Sequence, residues 1–266
     1  MPKALSFCIT CMHRLHQLRR TLPKNLAHNA RDKRAVEFVL ADLGPTPGLL
    51  GWAKTHCAKA LASGYLKIFQ APAEGFHASV AKNTAHVHAS GRILVNLDGD
   101  VMVGPRGGMK IINAMRRRRG KAVLHLTKGA GTYGCIAYPR KYFMGIRGYD
   151  QAFGPVGCQD TDVIVRMIAK YKLGYVGRRR VPKNTKRLLA YLRRMRHFQG
   201  VVVDSRLPGI SALVNSKRDT VRHTRVRNWK KANQANHRIL QRNLKRKRFV
   251  VNRRQRLGHG GVKRVN

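Results

Sequence analysis

The segment Arg92-Ile93-Leu94-Val95-Asn96-Leu97-Asp98-Gly99-Asp100 constrains this chain more than any other. Its apolar run at 93–97 reads as a short buried strand, and the run leads directly into two carboxylates flanking a glycine. On an extended backbone Asp98 and Asp100 point the same way, and like charges held together repel unless a cation or a sugar hydroxyl lies between them. Gly99 permits a turn and the close approach of a ligand to the backbone. A divalent metal with a phosphorylated ligand accounts for the arrangement economically. Asp-Gly-Asp is also a turn sequence, and taken alone it is more often only that.

Three earlier runs resemble this strand. Residues 4–9, 36–41 and 65–69 are each apolar, and helical spacing separates them. Met12, Leu15, Leu18 and Leu22 recur with a helical period, with Pro23 near the end of that run. Residues 49–62 read as a second helix, and residues 76–89 as a loop followed by a third. Four strands alternating with helices predict an α/β fold with a mainly parallel sheet, its ligands at the C-terminal ends of the strands. Later come strands at 122–126 and 133–138, a glycine-rich loop at 145–157, and a helix opened by Asp160.

The formal net charge is +44, from 55 Lys and Arg against 11 Asp and Glu, which implies a polyanionic partner, either nucleic acid or an anionic membrane surface. Where acids are so scarce, those clustered at strand ends are candidates for chemistry, and the tightest clusters are Asp98 with Asp100 and Asp160 with Asp162. Five cysteines include one Cys-x-x-Cys, at Cys8 and Cys11, with no second pair to complete a zinc site. Buried free thiols are expected, in a reducing compartment. Neither a signal peptide nor a run of transmembrane length is seen, so the expected protein is cytoplasmic, soluble or peripheral.

From residue 178 onward the chain carries 28 of its 55 basic residues. Val226, Trp229, Ala232, Ile239, Leu240 and Leu244 keep an approximate helical period there. One packed stripe and one basic face are therefore expected. The expected division is a catalytic domain at 1–177 and a basic helical extension at 178–266 that completes the acceptor side.

Several motifs, in order, resemble the GT-A-fold glycosyltransferases of the family 2 type. Ser6-Phe7-Cys8-Ile9-Thr10-Cys11-Met12-His13-Arg14 with Leu22-Pro23-Lys24-Asn25 looks like that group's opening strand and helix. Phe76-His77-Ala78-Ser79-Val80-Ala81-Lys82-Asn83 resembles its Ala-Arg/Lys-Asn segment, and Asn96-Leu97-Asp98-Gly99-Asp100 its Asp-x-Asp motif. Gly148-Tyr149-Asp150 with Gly157-Cys158-Gln159-Asp160-Thr161-Asp162 is similar to its Gly-Tyr-Asp and Glu-Asp-x-Asp segment. Asn243-Leu244 and Val251-Asn252 resemble its C-terminal pattern. Gln159 departs from the group, standing where Glu is usual; it keeps a hydrogen-bonding group and removes a charge.

The resemblance implies a GT-A, Rossmann-like sheet flanked by helices and sugar transfer from a nucleotide-diphosphate donor, with inversion. A departing diphosphate gains charge that Mn2+ or Mg2+ would offset, with Asp100 as ligand, Asp98 on the ribose or the metal's water shell, and His197 as a later ligand. His197 lies among arginines and is also readable as facing solvent or nucleic acid. Asp160 is the implied base, at a helix start where it is also readable as a cap; Asp162 is read as structural. Thr10, Arg14, Asp42, Lys82 and Asn83 are the implied donor-binding residues, each also readable from spacing as surface polarity. Tyr149 and Gln159 belong to the acceptor side.

The surplus charge suggests an acceptor that is itself polyanionic. Arg116-Arg117-Arg118-Arg119, Arg178-Arg179-Arg180 and Lys245-Arg246-Lys247-Arg248 would neutralise phosphates without reading sequence. Transfer to a hydroxylated base in DNA is the leading expectation, with the base flipped into the site. Two alternatives stand beside it: a polysaccharide or glycolipid glycosyltransferase docked on anionic membrane, and a non-catalytic nucleic-acid-binding protein.

Overall fold

The computed structural model describes residues 2–73, 75–129, 131–178, 185–214, 226 and 228–265. The first strand, β1 (Leu5–Cys11), lies at the centre of a sheet and pairs in parallel with β2 (Val36–Leu43) on one side and β4 (Ile93–Asn96) on the other. Strand β3 (Leu66–Ala71) extends the sheet beyond β2, again in parallel. The β1 and β2 side chains are buried on both faces, apart from partial exposure of Thr10, as expected where helices cover a parallel sheet.

Helix α1 (Leu15–Asn29) connects β1 to β2 and buries Leu18, Leu22 and Leu26. It continues six residues past Pro23. The apolar stripe keeps its period across the proline and remains packed on the core, which outweighs the lost backbone donor. The helix expected at 49–62 is two, α2 (Leu49–His56) and α3 (Ala58–Ala62), parted at Cys57, whose φ of −124° leaves the helical region. Helix α4 (Ala78–Val87) packs over β1 and β2 and leads into β4.

Beyond β4, a short strand β5 (Val101–Val103) precedes α5 (Gly107–Arg117) and β6 (Ala122–His125). Strand β7 (Ile136–Pro139) inserts antiparallel between β4 and β6. Helices α6 (Arg140–Gly145) and α7 (Gln159–Tyr171) then lead to β8 (Gly174–Gly177), parallel to β6. Residues after 177 supply α8 (Lys186–Arg193), β9 (Val201–Val203), β10 (Ile210–Ala212), α9 (Trp229–Lys245) and β11 (Lys263–Arg264). The nine-stranded order is β11-β3-β2-β1-β4-β7-β6-β8-β9, with β10 and β5 paired separately. Residues from both halves of the chain therefore build one sheet.

The strand order reverses direction of growth at β1 and β4, and ligands in open α/β sheets bind at such a crevice. Cys8 sits opposite Asn96, and the Leu97 amide donates to the Cys8 carbonyl at 3.0 Å, so Thr10 and Asp98 emerge side by side. No helix among the described residues is long and apolar enough to cross a membrane. All five cysteines are free thiols, four of them buried.

Candidate active site

A cavity of about 440 Å³ opens where β1 and β4 end, and Thr10, Arg14, Lys82, Asp98, Asp100, Gln159 and Asp160 all line it. Three of the eleven acids of the chain thus meet in one place. The Asp98–Asp100 segment is a turn, closed by the Val101 amide donating to the Asp98 carbonyl at 2.9 Å. Turn and site coincide here: Gly99 has its carbonyl held by Thr21 Oγ1 at 2.7 Å, while both flanking carboxylates reach the cavity. Gly134 lies against Asp98 so closely that a Cβ there would sit 2.5 Å from Oδ2.

Arg14, at the start of α1, donates to Asp100 Oδ2 at 3.1 Å. Asp98 receives a hydrogen bond from Asn96 Nδ2 at 3.1 Å and remains 30% exposed. On the opposite wall Asp160 occupies the first turn of α7, where the helix dipole favours a carboxylate. Lys82, projecting from α4, joins the two walls: its Nζ lies 2.6 Å from Asp160 Oδ1 and 3.8 Å from Asp98 Oδ1. One ammonium touching both carboxylates brings them face to face.

Burial raises the pKa of Asp160 above the usual carboxylate range; the Lys82 charge opposes that rise, and the Asp98 charge adds to it. For Lys82, burial works against the charged form but Asp160 and Asp98 outweigh it, and its pKa is raised. Two cations, Arg14 and Lys82, face three carboxylates on the lining of the cavity. Two neighbouring carboxylates open to a cavity suit a hard divalent cation that completes its shell with phosphate oxygens. Asp98 and Asp100 fit that role. Among the described residues, no group of three or more His, Cys, Asp or Glu forms an all-protein cage.

The other expected residues lie behind this wall. Asn83 is fully buried; its Nδ2 donates to the Tyr149 carbonyl at 2.9 Å and its Oδ1 accepts from the Tyr149 amide at 2.8 Å, so it clamps a loop instead of lining the cavity. Tyr149 is fully buried too, its ring centroid 5.3 Å from Lys82 Nζ, so it supports Lys82 from beneath. Asp42 is buried, accepting from the Thr46 amide and Gln70 at 2.9 Å each and from the Thr46 hydroxyl at 2.5 Å. Thr46 in turn accepts from the His13 amide at 2.9 Å, so Asp42 shapes the loop after β1. His197 points Nε2 at the Ile168 carbonyl, 3.0 Å away on α7, about 12 Å along the helix axis from Asp160. Asp162 pairs with Arg166 at 2.6 Å with both side chains fully buried.

Three aromatic residues also line the cavity, Phe76, Tyr133 and Trp229, of which the last two lie outside the motifs. Tyr133 shares a hydrogen bond of 2.7 Å with the Thr161 hydroxyl, and Trp229, at the first turn of α9, is 41% exposed. Trp229 keeps the helical period of the packed stripe, which disguises it. It heads the same stripe as Asn236 and Asn243, seven and fourteen residues on, and those are the buried members. For Tyr133 a signal exists in the glycines of Gly129-Ala130-Gly131-Thr132-Tyr133-Gly134. Cys158, also on the cavity, holds a φ of +67° immediately before α7, a strained conformation that tends to gather at functional sites.

This sheet order is that of a GT-A-like fold. A mannosyltransferase of Pyrobaculum calidifontis, PcManGT, solved with GDP-Man and Mn2+, superposes with a TM-score of 0.53 at 16% identity, covering 69% of this chain and 57% of that one. Staphylococcus aureus TarS superposes at 0.52 with 13% identity, over 61% of this chain and 33% of TarS, and its 1–349 fragment at 0.50 with 14% identity, over 61% and 54%. This chain therefore matches between a third and three-fifths of the length of these neighbours. No protein-family model matches the sequence, and none of the curated proteins is similar to it.

Proposed function

We propose that this chain is a divalent-cation-dependent glycosyltransferase that moves a sugar from a nucleoside-diphosphate donor to an acceptor hydroxyl. The observation that carries the reading is Lys82, whose single ammonium touches Asp160 on one wall and Asp98 on the other. Both PcManGT, which was solved with a nucleotide sugar and Mn2+, and TarS share the fold, which supports the same chemistry here. Mn2+ or Mg2+ held by Asp98 and Asp100 would neutralise charge on the diphosphate as it leaves.

The chain's own residues do the rest. Arg14 and Lys82 line the cavity with Thr10 and would pair with phosphate oxygens. Asp160 accepts the proton of the acceptor hydroxyl as its oxygen bonds the anomeric carbon and the bond from that carbon to the diphosphate breaks. A base facing the donor carboxylates delivers the nucleophile opposite the leaving group, which gives inversion. The raised pKa of Asp160 makes it a stronger proton acceptor than an exposed carboxylate. Gln159 supplies an amide where the related motif has a carboxylate.

For the acceptor, the net charge of +44 and the exposed Trp229 at the cavity support a hydroxylated nucleic-acid base, extruded from its stack and held against the indole. Nucleotide release from a panel of nucleotide sugars with Mn2+ or Mg2+, with and without hydroxymethylated DNA, tests both parts. Asp160→Asn is expected to lower transfer by roughly 10²–10⁴-fold while donor binding persists. Unchanged turnover in Asp160→Asn contradicts the assignment, and transfer to a glycan but not to DNA contradicts the acceptor.

A further inference from the structure

Helix α9 carries two opposed stripes. Asn236, Leu240 and Asn243 are buried, whereas Lys231, Arg238, Arg242 and Lys245 are exposed. The latter four are spaced seven, four and three residues apart, which places them in one line on a helix, about 21 Å from first to last. Trp229, on the catalytic cavity, stands in the first turn of the same helix but on the face opposite this line. At the C-terminal end of the line opens a second cavity of about 750 Å³, whose rim carries Arg246, Lys247, Arg248, Arg253 and Arg254. The two cavities share no lining residue.

Among the described residues, no ion pair neutralises any of these nine cations. The one acid on the second cavity, Asp150, is buried, accepting from Asn243 Nδ2 at 2.8 Å and from the Ala152 amide at 3.0 Å. Concentrated unpaired charge is costly unless a counter-charge is taken up. The cleft is also built, not draped. Asn252 donates to the Arg147 carbonyl at 2.8 Å and the Tyr149 carbonyl at 2.7 Å, and Arg147 Nε returns a bond to the Asn252 carbonyl at 2.9 Å. Lys247 and Asn252 both hold positive φ, +50° and +52°, a strain the surrounding bonds maintain.

The geometry points to a docking track for the phosphodiester backbone of a nucleic acid, running from the basic cleft along the exposed face of α9 towards its N-terminal turn. A line of cations matches a linear polyanion with one phosphate per strand about every 3.4 Å. A concave basic cleft does not conform to a flat lipid surface. Apolar anchors of the kind a peripheral membrane protein inserts are absent from the cleft: the large exposed hydrophobics among the described residues are Val202, Val203, Val214 and Trp229. The track deepens the acceptor reading given above, but its test needs no sugar transfer.

The test is fluorescence anisotropy of a labelled single-stranded oligonucleotide, about 30 nucleotides long, between about 50 and 200 mM salt without donor. Substituting Arg246→Gln, Arg248→Gln, Arg253→Gln and Arg254→Gln together should weaken binding at least tenfold and flatten the log–log salt slope by about 3. A variant with equal charge loss on α1 and the turn after it, Arg19→Gln, Arg20→Gln, Lys24→Gln and Arg31→Gln, should bind as the unaltered chain does. In the unaltered protein, photo-crosslinks from a bromouracil oligonucleotide should map to residues 231–254. Equal losses in both variants, crosslinks elsewhere, or binding to phosphatidylserine vesicles but not to the oligonucleotide would overturn the track. Intact binding without transfer to DNA would instead count against the acceptor reading alone.

Discussion

Lys82 stands between two carboxylates that chemistry would use at different moments, so its removal is informative in a way that removing either acid is not. Its charge holds down an Asp160 pKa that burial raises. Lys82→Gln should therefore let that pKa climb further, and the acid limb of the pH–rate profile should move to higher pH, with Lys82→Arg staying near the starting profile. A limb that stays in place would show that Asp160 is not the base. Asp204 illustrates the opposite sign. Burial works to raise its pKa, but hydrogen bonds from Arg117 at 2.7 Å and from Arg206 at 3.0 Å outweigh it, and the value falls from 3.8 to about 2. Its stabilising contribution is complete above the ordinary carboxylate range and is lost as pH falls from about 4 towards 2. Asp204→Asn should cost about 1–2 kcal/mol at pH 7, discounted for the exposed arginines, and should flatten that acid dependence of denaturant unfolding.

Helix α7 and helix α9 grip the loop between them, and this arrangement makes the site a product of both halves of the chain. Asn236 on α9 accepts from the Gly154 amide at 2.6 Å and donates to the Val156 and Gly157 carbonyls at 2.8 Å each. On α7, Arg166 donates to the Gly148 carbonyl at 2.7 Å and to the Phe249 carbonyl at 3.2 Å while paired with Asp162. Asn236→Ala leaves buried backbone groups unmatched and should destabilise the fold by about 1–3 kcal/mol. It should raise the acceptor KM more than the donor KM, since residues 156–160 form the wall opposite Asp98; equal changes in both would contradict that placement. These contacts explain what could be read in advance. The strands and helices of residues 4–96 follow periodicity, and an apolar run ending in carboxylates marks the floor of the cavity. Periodicity carries no information on which polar residues turn inward. Asn236 and Asn243, seven and fourteen residues after Trp229, are therefore buried members of its stripe, while Trp229 itself reaches the cavity.

For the molecule as a whole, the fold was legible in the sequence because alternating buried runs force a parallel sheet, and the sheet order sets where its crevice falls. Spacing could not separate residues that touch the cavity from those that shape it. Asp42, Asn83 and Tyr149 follow the right elements, yet their side chains are consumed by hydrogen bonds or packing one layer down. His197 was placed by resemblance alone, and its ring meets α7 far from the carboxylates. The charge of +44 is legible as a number, whereas its arrangement into a line along α9 requires the helix to be built first. The proposed transfer requires Asp98 and Asp100 to share a cation with a nucleoside diphosphate. Crystals grown with Mn2+ and either GDP or UDP, measured at the manganese absorption edge, test this most directly. An anomalous peak is expected between Asp98, Asp100 and the two phosphates, and it should disappear in Asp100→Ala. A nucleotide bound in this cavity with manganese elsewhere, or a peak unchanged by that substitution, would contradict that requirement.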